Sequence, residues 1–496
     1  MAAGLAALCV LWILGRHLSF QYRNLAVGAV GLLVLTALLL WWMLFSRARW
    51  PQRWLGLAWV AGGIGLGLAL FRIRGVSGDF VPIWEPRWAR SAPSRSAPAP
   101  SATPAEPAGT NAMAAAGAFP QFLGPQRNAV LPGPVLATNW SVQPPQILWR
   151  QPLGAAWSGF AVVGDQALTQ EQHGPEEQVT CYEASTGRHL WTHSDPERYA
   201  TTIAGEGPRA TPTVVGDRVF TLGALGRLNA LDLATGRRLW TRSLTNDAAT
   251  GVPEWGFSGS PLVQDGLVIV SAGGRQGASL VAYRADTGEI AWTGGSSEAG
   301  YASPFFATLS GTPQILIVNR RSIASHDPRT GAVLWEVPFG AGMPLPANPI
   351  LIPPDRLMVS AGYNVGSELF AVAPGTNAPS SLWKSKKLKA KFANPVFRDG
   401  FVYGLDDSIL ACLDARDGSQ RWKEGRYGHG QALLVGDLYL QMAESGELIL
   451  LAPTPDAPNE ITRFPVFTAK TWNPIALRGH QLFARNDQEA ALVLLP

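Results

Sequence analysis

Apolar and polar positions along this chain change rhythm twice, and the two changes divide it into three regions. Leu25 to Phe45 is a run of 21 residues without a charge, long enough to cross a bilayer as a helix. Trp54 to Phe71 is a second run, 18 residues with five glycines, whose small residues suit close helix packing. Trp41, Trp42, Trp50 and Trp54 cluster where these runs approach each other, as interfacial aromatics do. Ala2 to Gly15 is apolar over only 14 residues. It is either a weak third span or the core of a signal peptide. Against the latter, it lacks a basic leader and is followed by further membrane helix. Residues 1–74 therefore read as a transmembrane helical region with spans at 25–45 and 54–71 and a weaker one at 2–15.

Residues 75–118 read as a linker. Within them, 90–118 is dense in proline, alanine and serine and predicts an extended spacer without a core of its own. From residue 119 to 496 the rhythm becomes that of short strands. Eight segments consist of an apolar run, a Gly, Asp or Pro turn, and a second apolar run. They are SGFAVVGDQALTQ, ATPTVVGDRVFTL, GSPLVQDGLVIVS, SPFFATLSGTPQILIV, NPILIPPDRLMVS, NPVFRDGFVYGL, QALLVGDLYLQ and NPIALRGHQLFAR. Each predicts a β-hairpin.

A second element alternates with these hairpins. An acidic residue, a Thr-Gly turn and a tryptophan form EASTGRHLW, DLATGRRLW, RADTGEIAW, DPRTGAVLW and, with Asp for Thr, DARDGSQRW. They place Gly187 with Trp191, Gly236 with Trp240, Gly288 with Trp292, Gly331 with Trp335 and Gly418 with Trp422. Trp383 keeps the tryptophan after a degenerate turn, and Trp149 precedes the first hairpin. Successive tryptophans lie 39 to 52 residues apart, the length of one four-stranded propeller blade. Glycine there takes the positive φ of a tight turn, and the tryptophan packs between blades. Eight hairpins imply an all-β, eight-bladed propeller. The last hairpin is followed by only one strand, EAALVLLP, so ILWRQPL around Trp149 is predicted to supply the missing strand and close the ring.

Composition narrows the chemistry. The net charge of +4 over 496 residues does not point to nucleic acid. Three cysteines, Cys9, Cys181 and Cys412, form no CxxC or haem-attachment motif. Cys181 and Cys412 hold equivalent positions in non-adjacent blades, where no disulfide can join them. His326, His429 and His480 lack metal-ligand spacing, so no metal is predicted. There is no nucleophile elbow, phosphate loop or dinucleotide fingerprint. Candidate ligand or partner residues sit where the loops lead into blades. Glu206 and Arg209 in GEGPRATP either bind a ligand at the channel mouth or pair with each other. Glu254 and Trp255 precede blade three, Tyr301 blade four and Trp472 blade eight; they either line a funnel or cover strand ends. Lys384, Lys386, Lys387, Lys389 and Lys391 are read as alternating along a strand, either a solvated blade edge or a surface for an anionic partner.

The Asp-x-x-Thr-Gly-x-x-x-Trp repeat resembles the pyrroloquinoline-quinone (PQQ) repeat. That repeat is shared by quinoprotein alcohol dehydrogenases and the lipoprotein scaffold of the outer-membrane β-barrel assembly machine. FPQFLGPQRNAV, GEGPRATPTVVGDRVFTLGALGRLNALDLATG and PEWGFSGSPLV are similar to bacterial PQQ-binding-like propeller proteins, which often carry similar membrane helices. In the dehydrogenases PQQ lies between a tryptophan and a vicinal disulfide, beside a calcium or lanthanide held by Glu and Asn, with an Asp as base. This chain has no adjacent cysteines, and the resemblance carries over no catalytic residue. The anchor, the spacer and the missing catalytic parts point to a binding or scaffold module for protein partners or a small ligand, without catalysis of its own and without a predicted cofactor. The alternative is a membrane-bound dehydrogenase of alcohols or sugars using PQQ and Ca2+. Arg47, Arg49 and Arg53 between the strong spans place that loop in the cytoplasm. The propeller then lies on the periplasmic side of a bacterial inner membrane, with the membrane and other proteins as partners; Arg72 and Arg74 oppose this orientation.

Overall fold

The computed structural model describes residues 20–88, 117–375 and 378–496, in two compact units. The first contains helices α1 (Phe20–Phe45) and α2 (Trp50–Leu70). Both are long and apolar enough to span a membrane. The segment at 2–15 lies outside the described residues. Arg53 closes the connection between the helices by donating to the carbonyls of Met43, Ala48 and Ser46, which satisfies groups a helix end otherwise leaves orphaned. Residues read as the start of the linker are instead ordered. Strand β1 (Phe71–Val76) follows α2 directly and pairs antiparallel with β2 (Pro82–Pro86).

The second unit is an eight-bladed propeller. Blades one to six are four-stranded sheets over 161–195, 213–243, 262–294, 305–338, 350–385 and 396–426. Blade seven spans 431–465, and Val130–Leu131 adds a fifth, parallel strand at its inner edge. Blade eight takes three strands from 476–494, and its outer strand is Gln146–Pro152, paired antiparallel with Glu489–Leu494. The ring closes through the strand around Trp149, as the repeat count requires.

The repeat joins each blade to its neighbour at the end of the third strand. Gly187, Gly236, Gly288, Gly331 and Gly418 have φ between +70° and +75°, a region glycine enters without steric cost. The indole of the preceding blade lies flat against each of them. A Cβ on Gly236 would stand 2.3 Å from Trp191, and one on Gly331 2.3 Å from Trp292. The indole N–H of Trp149, Trp191, Trp240, Trp292 and Trp383 donates at 3.0–3.1 Å to a carbonyl of the same turn, that of Ala184, Leu233, Ala285, Pro328 and Ala415. Trp422 bonds Thr454 in the same way. Trp335, whose next blade lacks the Thr-Gly turn, donates instead to Gln314 Oε1 within its own blade. Asp232 and Asp327 hold the turn by accepting from the Thr235 and Thr330 backbone N–H and hydroxyl groups.

A second ring of contacts surrounds the axis where the inner strands begin. Six inner strands follow a Ser, Thr or Asn before proline: Thr211, Ser260, Ser303, Asn348, Asn394 and Asn473. Proline keeps the preceding residue extended and removes a competing N–H, so the side chain turns to the next blade. Gly159 N–H donates to Thr211 Oγ1, Thr211 to Ser260, Ser260 to Ser303, Ser303 to Asn348 and Asn348 to Asn394, at 2.7–3.1 Å. Gln431 donates to the carbonyls of Phe392 and Trp472, and Asn473 to those of Ala156 and Ser158. The belt visits all eight blades and returns to the first.

The closure seam carries a buried ionic network. Arg485 of blade eight donates to Thr169 Oγ1, the Gln170 carbonyl and the Gly154 carbonyl at 2.7–2.8 Å. Glu171 accepts from Gly154 N–H and the Tyr182 hydroxyl, with His173 Nε2 at 2.8 Å. Burial alone would raise the Glu171 carboxyl, but His173, Arg485 and Tyr182 together hold it below its ordinary range. Cys181 and Cys412 are buried free thiols.

The glycine platform makes a graded prediction. Gly331→Ala meets both the positive φ and the Trp292 ring, and should cost about 3 kcal/mol. Gly216→Ala, at φ +62° with open space around the Cβ, should cost about 1 kcal/mol. Denaturant midpoints of the full chain in detergent check the order, and equal losses would contradict the role of the ring.

Candidate binding site at the channel mouth

The loops that run from each outer strand to the next inner strand end one or two residues before the polar belt. Their side chains meet above it. Trp255, leading into blade three, lies 5.5 Å from Tyr301 of blade four and 6.2 Å from Tyr363, which stands in a turn of blade five. Trp472, leading into blade eight, lies 4.9 Å from Phe392 of blade six and 5.0 Å from Trp157 of blade one. Contacts from blade three to five and from six to eight skip the blade between. Rings can do this only where the inner ends converge on the axis, so these residues form the mouth of the channel.

Cations accompany the rings. Lys470 Nζ lies 3.9 Å from the Trp472 ring and 4.7 Å from Trp157. Lys391 Nζ lies 4.9 Å from Tyr363, and the Arg209 guanidinium 4.2 Å from Tyr199. Such placements favour a cation by the ring quadrupole. His429 sits edge-on to Phe392. The Tyr199 hydroxyl donates to the Glu254 carbonyl at 2.5 Å, and Trp255 N–H donates to the Tyr301 hydroxyl at 3.3 Å. Tyr301 itself has φ +84°, a conformation that costs a non-glycine residue on the order of 1–3 kcal/mol and gathers at binding sites.

Beside the mouth, Glu177 is buried at the end of the turn between the second and third strands of blade one. It accepts from Ala224 N–H at 3.1 Å. Burial first, then the neighbouring Glu197 and Asp195 charges, push its carboxyl up to about 7, against the opposing pull of the Ala224 bond and Arg209. Burial pushes the Arg209 guanidinium down to about 10. Among the described residues no three His, Cys, Asp or Glu side chains gather to hold a metal ion.

The residues singled out from sequence are distributed unevenly. Trp255, Tyr301 and Trp472 belong to one rim, and Arg209 joins it through Tyr199. Glu206 does not pair with Arg209; it meets Arg198 at 2.9 Å on the exposed loop. Glu254 contributes its carbonyl, and its carboxylate faces solvent. The lysine run is not an alternating strand, because the strand ends at Ser385. Lys384 pairs with Glu368, Lys389 is held between Asp406 and Asp407, and Lys391 is buried at the mouth. The rim also takes Trp157, Tyr199, Tyr363, Phe392 and Lys470, which the sequence pattern does not single out, and Lys391 and His429, which the sequence presents only as one of a lysine run and as a histidine without metal-ligand spacing. For several the signal was the aromatic, basic or His residue just before the belt position, as in YASP, FANP, RATP, WNP and HGQ.

Fold and mouth together define a propeller of the quinoprotein-repeat class. The family model described as "Outer membrane protein assembly factor BamB" matches residues 141–254 and 176–424, more than half of the chain, and the chain belongs to that family. BamB from Moraxella catarrhalis superposes with a TM-score of 0.52 at 17% identity, covering 71% of this chain and 98% of that one. Quinohemoprotein alcohol dehydrogenase from Comamonas testosteroni gives 0.56 at 14%, covering 76% and 80%. The computationally designed Ika8 protein gives 0.51 at 12%, covering 71% and 100%. At these identities the likeness is one of fold. No curated protein sequence matches the chain.

Glu177 generates a pH prediction. A carboxyl raised in the folded state contributes stability that is present below its unfolded value, near 4.3, and lost as pH rises through about 7. Glu177→Gln, which keeps the acceptor for Ala224, should stabilise the chain at pH 8 by up to about 3 kcal/mol and change little at pH 4. Unfolding midpoints at the two pH values test this, and a variant less stable at pH 8 would refute it.

Proposed function

We propose that the chain is a membrane-anchored scaffold that holds a protein partner at the propeller mouth, without catalysis of its own. The observation that carries this reading is the rim itself: rings and cations from the loops of all eight blades converge there, the composition expected of an interaction hot spot. The opposite end of the ring is occupied by Thr-Gly turns whose groups are spent on holding the blades together. Two apolar helices and the Arg47, Arg49 and Arg53 loop support an inner-membrane anchor with the propeller in the periplasm. The family's description as an outer-membrane protein assembly factor supports a protein as the partner.

We propose further that the mouth takes no PQQ–calcium pair. The ionic groups on the rim are mainly cations, whereas calcium requires several oxygen ligands. The Trp157, Trp472 and Phe392 rings pack on one another at tilts of 41–42°, which offers no parallel slot for a planar ring. Cys181 and Cys412 lie in separate blades, so no vicinal disulfide can form the other wall.

Photo-crosslinking in cells is the test. A benzophenone residue at Glu254, on the rim, should give a discrete adduct, and one at Thr235, in a turn at the opposite end, should not. Trp255→Ala with Trp472→Ala should abolish the Glu254 adduct. Calorimetric titration of the purified chain with PQQ and calcium should show no saturable heat. Saturable binding together with dye-linked turnover of alcohols or sugars would replace the scaffold with a dehydrogenase.

A further inference from the structure

The β1–β2 hairpin beyond α2 separates its side chains into two unlike faces. Phe71 pairs with Pro86 and Ile73 with Trp84, so these four share one face; Arg72 pairs with Glu85 on the other. The ladder bulges between Ile73 and Gly75, and Glu85, 3.1 Å from Arg72 and 3.6 Å from Arg74, draws both arginines to the charged face. Trp88, just past β2, packs 6.0 Å from Phe71 and extends the apolar side. That side is open: Ile73 is 45% exposed, Trp84 54% and Trp88 65%. A strip of large apolar residues left uncovered marks a site of membrane or protein contact.

The hairpin is also fixed in place. Gln21 Nε2 donates to the Gly78 carbonyl at 3.3 Å and Asn24 Nδ2 to that of Asp79 at 2.8 Å, which ties the hairpin turn to the first turn of α1. Arg87 donates from its backbone N–H to Leu70 O and from Nε to Leu68 O, both at 2.8 Å, which caps the last turn of α2. The start of α1 and the end of α2 therefore lie at one end of an antiparallel pair, with the hairpin across both. An isolated two-stranded hairpin is marginal in water; this one is stapled to two helices and still bares its apolar face.

We propose that this face rests in the bilayer interface, as an amphipathic foot on the side where α2 emerges. Continuity sets its depth, because Phe71 directly follows Leu70, the last residue of a membrane-length helix. Its composition fits the level: aromatic rings on the apolar face suit the headgroup boundary, and Arg72 and Arg74 on the other face can meet lipid phosphates while balanced by Glu85. The foot also accounts for the two arginines that run against the orientation of the anchor, since they belong to a folded interfacial element and not to a free loop. The occupant is a phospholipid surface. This inference rests on reading α1 and α2 as membrane spans.

The test uses the full chain with Cys9→Ser, reconstituted in vesicles of phosphatidylcholine and phosphatidylglycerol, with one spin label at a time. Cys181 and Cys412 are buried and stay unlabelled. Labels replace Leu35 in α1, Ile73 and Trp84 on the apolar face, Arg74 on the charged face, and Trp88 outside the ladder. Relaxation by oxygen is compared with relaxation by a water-soluble nickel chelate. Oxygen should dominate at Leu35, Ile73, Trp84 and Trp88, and nickel at Arg74. Nickel dominating at Ile73, Trp84 and Trp88, with oxygen still dominating at Leu35, would leave the anchor standing and overturn the foot. Labels at Ile73 and Trp84 shielded from both agents would show a protein surface covering the face and overturn it equally. Nickel dominating at Leu35 would overturn the anchor and the foot together.

Discussion

The propeller depends on one contact made repeatedly, an indole lying on a glycine. The ring of one blade lies against the turn of the next at a distance no Cβ allows, and its N–H is satisfied by a carbonyl of that same turn. Packing and hydrogen bonding thereby point the same way, which burial of a polar indole requires. The contact fixes the offset between adjacent blades at the turn-bearing end. At the inner end, the Ser/Thr/Asn–Pro belt fixes it again. Two rings of bonds at different radii leave each blade little freedom to tilt, so the loops at the mouth project from a rigid frame. A rigid frame lowers the ordering cost of the rim when a partner binds.

Most of the scaffold could be read along the chain because propeller blades are local. The hairpins, the Thr-Gly turns and the tryptophans each report on neighbours within one repeat, and counting strands was enough to place the strand around Trp149 in blade eight. The site was less legible for the opposite reason. Trp255 meets Tyr363, and Trp472 meets both Phe392 and Trp157, across a channel whose geometry exists only after closure. Three rim residues were visible as aromatics out of step with the repeat, yet Lys391 was hidden in a run of lysines that looked like a strand edge. Glu206 and Arg209 are close in sequence and part company in the fold, because Tyr199 and burial claim the arginine and Arg198 claims the acid. The hairpin at 71–86 escaped notice for another reason. It follows a membrane run directly, its apolar residues alternate with Arg72 and Arg74 over only a few positions, and its pairing is only five residue pairs long.

The arrangement separates duties between ends of the molecule. One end of the ring spends its polar groups on blade-to-blade bonds. The other gathers rings and cations, among them a tyrosine held at φ +84°. The first unit adds two helices long and apolar enough to span a membrane, with the hairpin proposed to rest at the interface beyond them. In the proposed scaffold function, the frame supplies the rigidity and the mouth the chemistry of contact.

The most direct measurement is the native mass of the chain extracted from its own membranes in mild detergent. A scaffold occupied at its mouth should migrate in a complex larger than the chain itself. The variant carrying Trp255→Ala and Trp472→Ala should fall to the mass of the chain in its micelle, while Thr186→Ala and Thr235→Ala in the turn-bearing end leave the complex intact. A mouth variant that stays in the complex, or a wild-type chain that migrates alone, would contradict it.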